Sequence, residues 1–400
     1  MILVLAYGVV LLVSVSLSGV AARTILSTAL LFLAAGALIG EGGFGLVSLQ
    51  PADPLIEVLA DVALFTVLFT DGQRANLQAL REEWRLSGRA LGLAMPLTMV
   101  GIAVPAHFLV GLDWPTAFLL GAILSPTDPV FASAIVGRED VPGRLRRLLN
   151  VESGLNDGLA LPFVLIFLAT AAHAPTDIGK IGLELLLGLV LGVAVPVGIA
   201  LAWRLKFLTS EARLQALGPL AIAVSLYAAC HLLHANPYLA AFAAGVTLAS
   251  LDRLAAEHFE PFGDLLSEIT KFAALLVFGA LITPERLSHL SLGAWFVAVL
   301  AILLVRPAAM MLSLTGSRLE GRERATAAWF GPKGFASVVY GLLALQSGIP
   351  DNETVFDLVA VTIALSIVLH SSTDVPIAKA LRIEPPDNLP TGRRGLTARE

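Results

Sequence analysis

The residues able to do chemistry in this chain are carboxylates and cations embedded in apolar sequence, and three short motifs carry most of them. Asp128 stands between prolines in Ser125-Pro126-Thr127-Asp128-Pro129, Asp157 lies in Val151-Glu152-Ser153-Gly154-Leu155-Asn156-Asp157-Gly158, and Lys333 lies in Gly331-Pro332-Lys333-Gly334. Asp61, Asp71, Lys271 and Arg306 complete the set. An ionisable group at membrane depth costs roughly 2.5–3.5 kcal/mol on insertion scales, so such groups pair or line a wet cavity. Pro126 and Pro129 together remove two backbone donors and clash with preceding carbonyls. The helix holding Asp128 must open, and non-helical backbone survives at that depth only inside protein or against a cavity. An opened helix bearing a carboxylate reads as an ion site.

Helical spacing places Ser153, Asn156 and Asp157 on one face, with Glu152 and Asn156 within bonding reach of each other. Asp157 and Ser153 are expected to face a cavity, and Glu152 and Asn156 to form its adjoining wall. Gly154 and Gly158 allow another backbone to approach closely. Asp157 opposite Asp128 supplies hard oxygen ligands, which suit an alkali cation or a proton. Lys333 is expected to offset the negative ends of opposed half-helices or to pair with a carboxylate.

The elements that must position these groups are membrane-spanning helices. Hydrophobic residues make up 56% of the chain and charged residues 14%, against about 25% charged in soluble domains; the mean hydropathy is +0.82. The apolar runs are long enough to cross a hydrocarbon core, and the short alternating segments of a β-barrel are missing. Cutting at polar and Gly/Pro-rich breaks predicts thirteen spans, near 2–20, 25–47, 54–72, 90–111, 115–136, 149–172, 179–203, 214–233, 238–250, 265–283, 290–315, 324–347 and 353–371. The basic residues test this count. Arg23; Arg74, Arg81, Arg85 and Arg89; Arg138, Arg144, Arg146 and Arg147; Arg204, Lys206 and Arg213; Arg253; Arg318, Arg322 and Arg324; and the tail residues all fall on one side, leaving Lys180 and Arg286 on the other. The positive-inside rule then puts the N-terminus outside and the C-terminus in the cytoplasm of a multi-pass cell-membrane protein. Met1–Val20 reads as a first span rather than a cleaved signal, since no basic stretch precedes it. The Asp128 and Lys333 breaks fall in the fifth and twelfth spans, which run in opposite directions, as in an inverted-repeat transporter.

Other features carry plainer readings. Cys230 lies in an apolar run and forms no disulfide framework. His107, His173, His231, His234 and His370 sit near predicted span ends and suit interfacial anchoring. Ser153 has no histidine near it in sequence, and arginines 144, 146 and 147 suit topology and anionic lipid rather than nucleic acid. No Walker A pattern occurs, and the short polar tail is expected to be disordered, without room for a regulatory module.

The three motifs, with Arg306-Pro307, resemble the monovalent cation/proton antiporter family in its NhaP/NHE-type branch, over nearly the whole chain. The resemblance implies an all-α polytopic fold of the NhaA-like antiporter type: inverted repeats with two unwound crossing helices. It further implies a homodimer, with a transmembrane antiporter domain over 1–375 and a cytoplasmic tail over 376–400. Within that domain, core bundles at roughly 90–172 and 290–371 would move against a dimerisation domain. Asp157 would be the shared ion and proton carboxylate. Asp128, Ser153 and Thr127 would help to coordinate Na⁺, and Asp71 would guard the cytoplasmic path. Glu152 and Arg306 would form a buried structural pair, and Asn156 before Asp157 is similar to the electroneutral branch. Lys333 departs from that branch, which usually has arginine there. No cofactor is implied beyond the transported cation and H⁺.

The expected activity is Na⁺ (or Li⁺) exchange for H⁺ by alternating access, with one carboxylate holding either ion and only loaded states crossing. K⁺/H⁺ or broad monovalent exchange stays open. More distant alternatives are a cation channel and an intramembrane aspartyl protease; Gly154-Leu155-Asn156-Asp157 echoes the G-x-G-D signature of the latter, with Asn in place of the second Gly.

Overall fold

A computed structural model describes residues 1–21, 28–74, 84–128, 143–172, 178–203, 217–251 and 253–380. Among these residues the regular elements are helices: α1 (Ile2–Ala21), α2 (Thr28–Ile39), α3 (Pro54–Arg74), α4 (Trp84–Val110), α5 (Trp114–Ile123), α6 (Gly143–Ala171), α7 (Ile178–Trp203), α8 (Leu217–Leu233), α9 (Pro237–Leu251), α10 (Arg253–Ala280), α11 (Leu292–Ser313), α12 (Gly321–Trp329), α13 (Phe335–Gln346) and α14 (Asn352–Ala380), with a one-turn helix at Pro284–Ser288. Every predicted span is helical over at least part of its length. By length and composition, α4, α6, α7, α11 and α14 each suffice to cross a membrane.

Several boundaries differ from the sequence reading: α4, α6 and α10 begin at Trp84, Gly143 and Arg253, ahead of the predicted 90, 149 and 265. The span predicted over 25–47 gives a helix only over Thr28–Ile39, because the chain then turns through Gly40 and Gly43, whose following amides bond back to Leu38, Ile39 and Gly40. The last span runs past 371 to Ala380, so the tail predicted from 376 begins inside a helix. Residues 381–400, Pro129, His173 and the arginines at 23, 81, 138 and 213 lie outside the described residues.

Local sequence explains how the key helices start. Asp113 caps α5 by accepting from the Thr116 amide at 3.1 Å, with Pro115 in the first turn. Ser291 does the same for α11 through Ala294 at 3.1 Å. Both caps satisfy amides that the first turn leaves unpaired. A π turn at Ala90–Ala94 in α4 precedes Met95-Pro96, and another at Ala301–Val305 in α11 precedes Arg306-Pro307. A widened turn accommodates a residue that has no amide to donate. Like the two breaks, these two helices lie seven predicted spans apart.

The helices pack in two sets. In one, α3 lies against α9 and α10, α7 against α9, and α2 against α10; in the other, α4 lies against α5, α5 against α6, and α13 against α14. Small residues set the spacing in the first. A Cβ at Gly72 would meet the Phe242 carbonyl, and one at Gly245 would meet the Phe69 carbonyl. Without a hydrophobic drive between helices in lipid, such close backbone approach supplies the contact energy. Gly245→Val is therefore expected to destabilise the protein by about 1–3 kcal/mol through overpacking, read as a lower unfolding temperature in detergent. An unchanged temperature would contradict the α3–α9 contact.

Candidate functional site

Both proline-marked segments are open. α5 ends at Ile123 and residues 125–128 are non-helical, while residues 330–334 separate α12 from α13. The breaks meet backbone to backbone: the Asp128 amide donates to the Pro332 carbonyl at 3.1 Å. Around this crossing the freed backbone groups are taken up one by one. The Ser337 hydroxyl donates to the Ile123 carbonyl at 2.7 Å, and the Lys333 amide donates to the Ser366 hydroxyl at 2.8 Å. The Phe335 amide, at the start of α13, donates to Asp128 Oδ2 at 3.3 Å, placing a carboxylate where a helix N-terminus favours one. A Cβ at Gly334 would overlap the Asp128 side chain, so glycine is required there by contact.

Thr127 gathers α6 onto the first break. Its carbonyl accepts from Ser153 Oγ at 2.8 Å and from Asn156 Nδ2 at 3.0 Å, and its hydroxyl accepts from Asn156 Nδ2 at 2.8 Å. The Thr127 hydroxyl also reaches Glu152. Asn156 thus bonds Thr127 instead of Glu152, because the opened backbone brings an unpaired carbonyl closer than the neighbouring turn. A cavity of about 10 Å³ is lined by Thr127, Asp128, Glu152 and Ser153, among others.

Asp157 is buried at 6% exposure, one turn along α6 from Ser153. Its main-chain carbonyl accepts from the Tyr340 hydroxyl at 2.8 Å, while no hydrogen bond to its carboxylate occurs among the described residues. Asp71, Asp128 and Lys271 lie close enough for their charges to act on it. Asp71, also buried, has Arg74 Nη1 at 3.5 Å, and Arg74 Nη2 bonds Asp264 at 2.6 Å. The predicted ion residues Asp71, Thr127, Asp128, Ser153 and Asp157 therefore converge on one region.

The other predicted residues form a second charge group. Arg306 Nη2 bonds Glu152 Oε1 at 2.6 Å with both side chains buried. Gly331 leaves room for that guanidinium, which a Cβ would strike at 2.6 Å. Lys333, 1% exposed, makes no hydrogen bond through its Nζ among the described residues; the charges acting on it are Arg306 and Glu152. The expected pairing with a carboxylate is thus not made at bonding distance, because Arg306 already occupies Glu152.

Several residues gain roles that sequence did not assign. His370 is buried at 3% exposure with Nε2 3.2 Å from the Trp329 carbonyl, contrary to interfacial anchoring, because α14 continues past it. Asp61 accepts from Tyr238 on α9 and so forms an interhelical tie between α3 and α9. Tyr340 lies one helical face along from Ser337, a spacing that could have flagged it once the break was placed. Breaking the buried pair leaves an uncompensated charge and costs roughly 3–5 kcal/mol. Glu152→Gln is accordingly expected to lower yield and unfolding temperature while leaving ion specificity in place; a variant as stable as the parent that fails to bind the cation would assign Glu152 to the ion site instead.

Comparison with known proteins agrees with this arrangement. The K(+)/H(+) antiporter NhaP of Alkalimonas amylolytica is 27% identical over 393 residues, covering 96% of this chain and 67% of the relative. The K(+)/H(+) antiporter NhaP2 of Shewanella sp. (strain ANA-3) is 26% identical over 392 residues, covering 96% and 68%. The structure of the sodium proton antiporter MjNhaP1 from Methanocaldococcus jannaschii at pH 8 superposes with a TM-score of 0.78 at 21% identity, covering 95% of this chain and 97% of that one, and shares its fold. The sequence pattern of the family described as sodium/hydrogen exchanger, transmembrane, matches residues 9–380. With its two crossed breaks and its cluster of buried carboxylates, the chain belongs to the sodium/hydrogen exchanger family and is a multi-pass secondary transporter exchanging a monovalent cation for protons.

Proposed function

We propose that this chain exchanges Na⁺ for H⁺ across the cell membrane, with Asp157 holding either ion in turn. The observation that carries this reading is the buried Asp157 carboxylate, without a hydrogen-bond partner among the described residues, set beside Asp71 and Asp128 at the crossing. A carboxylate locked in an ion pair could not release a proton to take a cation; this one is left to its cargo. Ser153, Thr127 and Asp128 supply the remaining oxygens; with Glu152 they line a cavity of about 10 Å³, and Ser153 stands one turn of α6 from Asp157. An empty, charged carboxylate is costly to carry across the low-dielectric barrier, so loaded states alone cross and the two fluxes are coupled. Asp71, tied through Arg74 to Asp264, guards the cytoplasmic path.

The helix set of α4–α6 with α11–α14 acts as the moving core, and the set of α1–α3 with α7–α10 holds the dimer contact. The N-terminus lies outside and the C-terminus in the cytoplasm. Exchange of K⁺ for H⁺ is the second reading, favoured by the likeness to the two K(+)/H(+) antiporters of Alkalimonas amylolytica and Shewanella.

Proteoliposomes with an imposed ΔpH test both readings. Na⁺ is expected to dissipate the gradient, and valinomycin with K⁺ to leave the rate unchanged if one Na⁺ moves per H⁺. Dissipation by K⁺ alone would establish the second reading. Asp157→Asn, which removes the titrating group at nearly constant volume, is expected to abolish exchange; retained cation-dependent proton flux would reject Asp157 as the shared seat.

A further inference from the structure

We infer that Lys271 is a specificity-determining member of the ion site, a fixed positive charge that α10 presents to the carboxylates and that the transported cation must oppose. This rests on the reading of Asp157 and Asp128 as the cation seat. Lys271 lies well inside α10 and is 9% exposed. Burial of an ammonium at membrane depth demands a partner or a wet cavity, yet among the described residues no carboxylate lies within ion-pair distance of its Nζ. Its nitrogen instead stands 5.8 Å from the centre of the Phe335 ring, at the start of the helix whose first amide holds Asp128. A cavity of about 30 Å³ separates these groups, lined by Lys271, Asp128, Lys333, Gly334 and Phe335 with apolar residues of α2, α10, α13 and α14; the charges acting on Lys333 are Arg306 and Glu152, whereas Lys271 answers to the carboxylate cluster. That volume admits one or two water molecules or a dehydrated ion. The charges acting on Lys271 are Asp128, Asp71, Arg74 and Asp157, the members of the carboxylate cluster and its one arginine.

The location matters as much as the charge. Asp128 and Asp157 belong to the α5 break and α6, in one packing set, whereas α10 packs with α2 and α3 in the other. Lys271 therefore reaches the carboxylates across the boundary between the two sets. Its stem is apolar and its head faces a cavity large enough for it to shift, so it partly neutralises the cluster when no cation is bound and is displaced electrostatically when one arrives. An ammonium in that position weakens cation binding, and keeps the site from holding its cargo too tightly to release it.

The test compares Lys271→Met, which keeps the length without the charge, with Lys271→Arg, in proteoliposomes at alkaline pH, where protons compete least. Lys271→Met is expected to lower the apparent KM for Na⁺ on the order of tenfold, the effect of one unit charge at roughly 10 Å in a medium of effective dielectric about 20. Maximal rate should fall as release slows, and Lys271→Arg should restore both values towards the parent. Unfolding temperature, measured alongside, separates a folding defect from a change at the site. A Lys271→Met protein with the parent KM, or one whose rate and unfolding temperature fall together at constant KM, would overturn the inference. Asp157→Asn serves as the control: if it still exchanges, the seat itself is misassigned, whereas inactive Asp157→Asn with an unaltered Lys271→Met KM refutes Lys271 alone.

Discussion

The structure depends on finding partners for peptide groups that two opened helices leave unpaired at membrane depth. Lipid offers no hydrogen bonds, and each orphaned amide or carbonyl there costs several kcal/mol. The two breaks answer this by serving each other: the Asp128 amide meets the Pro332 carbonyl, and the α13 amide of Phe335 meets the Asp128 carboxylate. Side chains of α13, α14 and α6, namely Ser337, Ser366, Ser153 and Asn156, engage further groups among the described residues. Each segment satisfies peptide groups of the other, which ties the Asp128 carboxylate to the crossing of the two breaks.

The charges divide into two groups with different tasks. Glu152, Arg306 and Lys333 act on one another, with one short charge-assisted bond between the first two. Asp71, Asp128, Asp157 and Lys271 form the other group, without such a bond joining Asp157 to any of them among the described residues. Charge is thus paired at bonding distance between Arg306 and Glu152, whereas Asp157 meets its charged neighbours at longer range. Thr127 joins the groups, since its carbonyl and hydroxyl engage Ser153, Asn156 and Glu152 together. A shift of Glu152 is thereby felt at the backbone that carries Asp128.

Much of this was legible in the sequence because prolines and intramembrane carboxylates act through short-range rules. The paired prolines around Asp128 and the Gly331-Pro332 step located both breaks, and the spacing in 152–157 put Ser153 on a cavity, although Glu152 lines that cavity as well and Asp157 does not. Partners across the fold were not legible. Helical spacing offered Asn156 to Glu152, but only the folded chain shows that a freed Thr127 carbonyl wins. Lys271 looked like any buried cation until α10 was set against the crossing, and the π turns before Pro96 and Pro307 leave no periodic signature in short apolar runs. His370 was misplaced because the last apolar run stops before its helix does.

Gly334 touches the Asp128 side chain and Gly331 touches the Arg306 guanidinium, so both flanks of Lys333 are sized by charged groups from elsewhere in the chain. At 334 the nearest atom to an added methyl group is the Asp128 Cβ, which every residue except glycine carries. Glycine there is thus demanded by how closely the two opened backbones cross, and exchanging the aspartate for another side chain would not lift the demand.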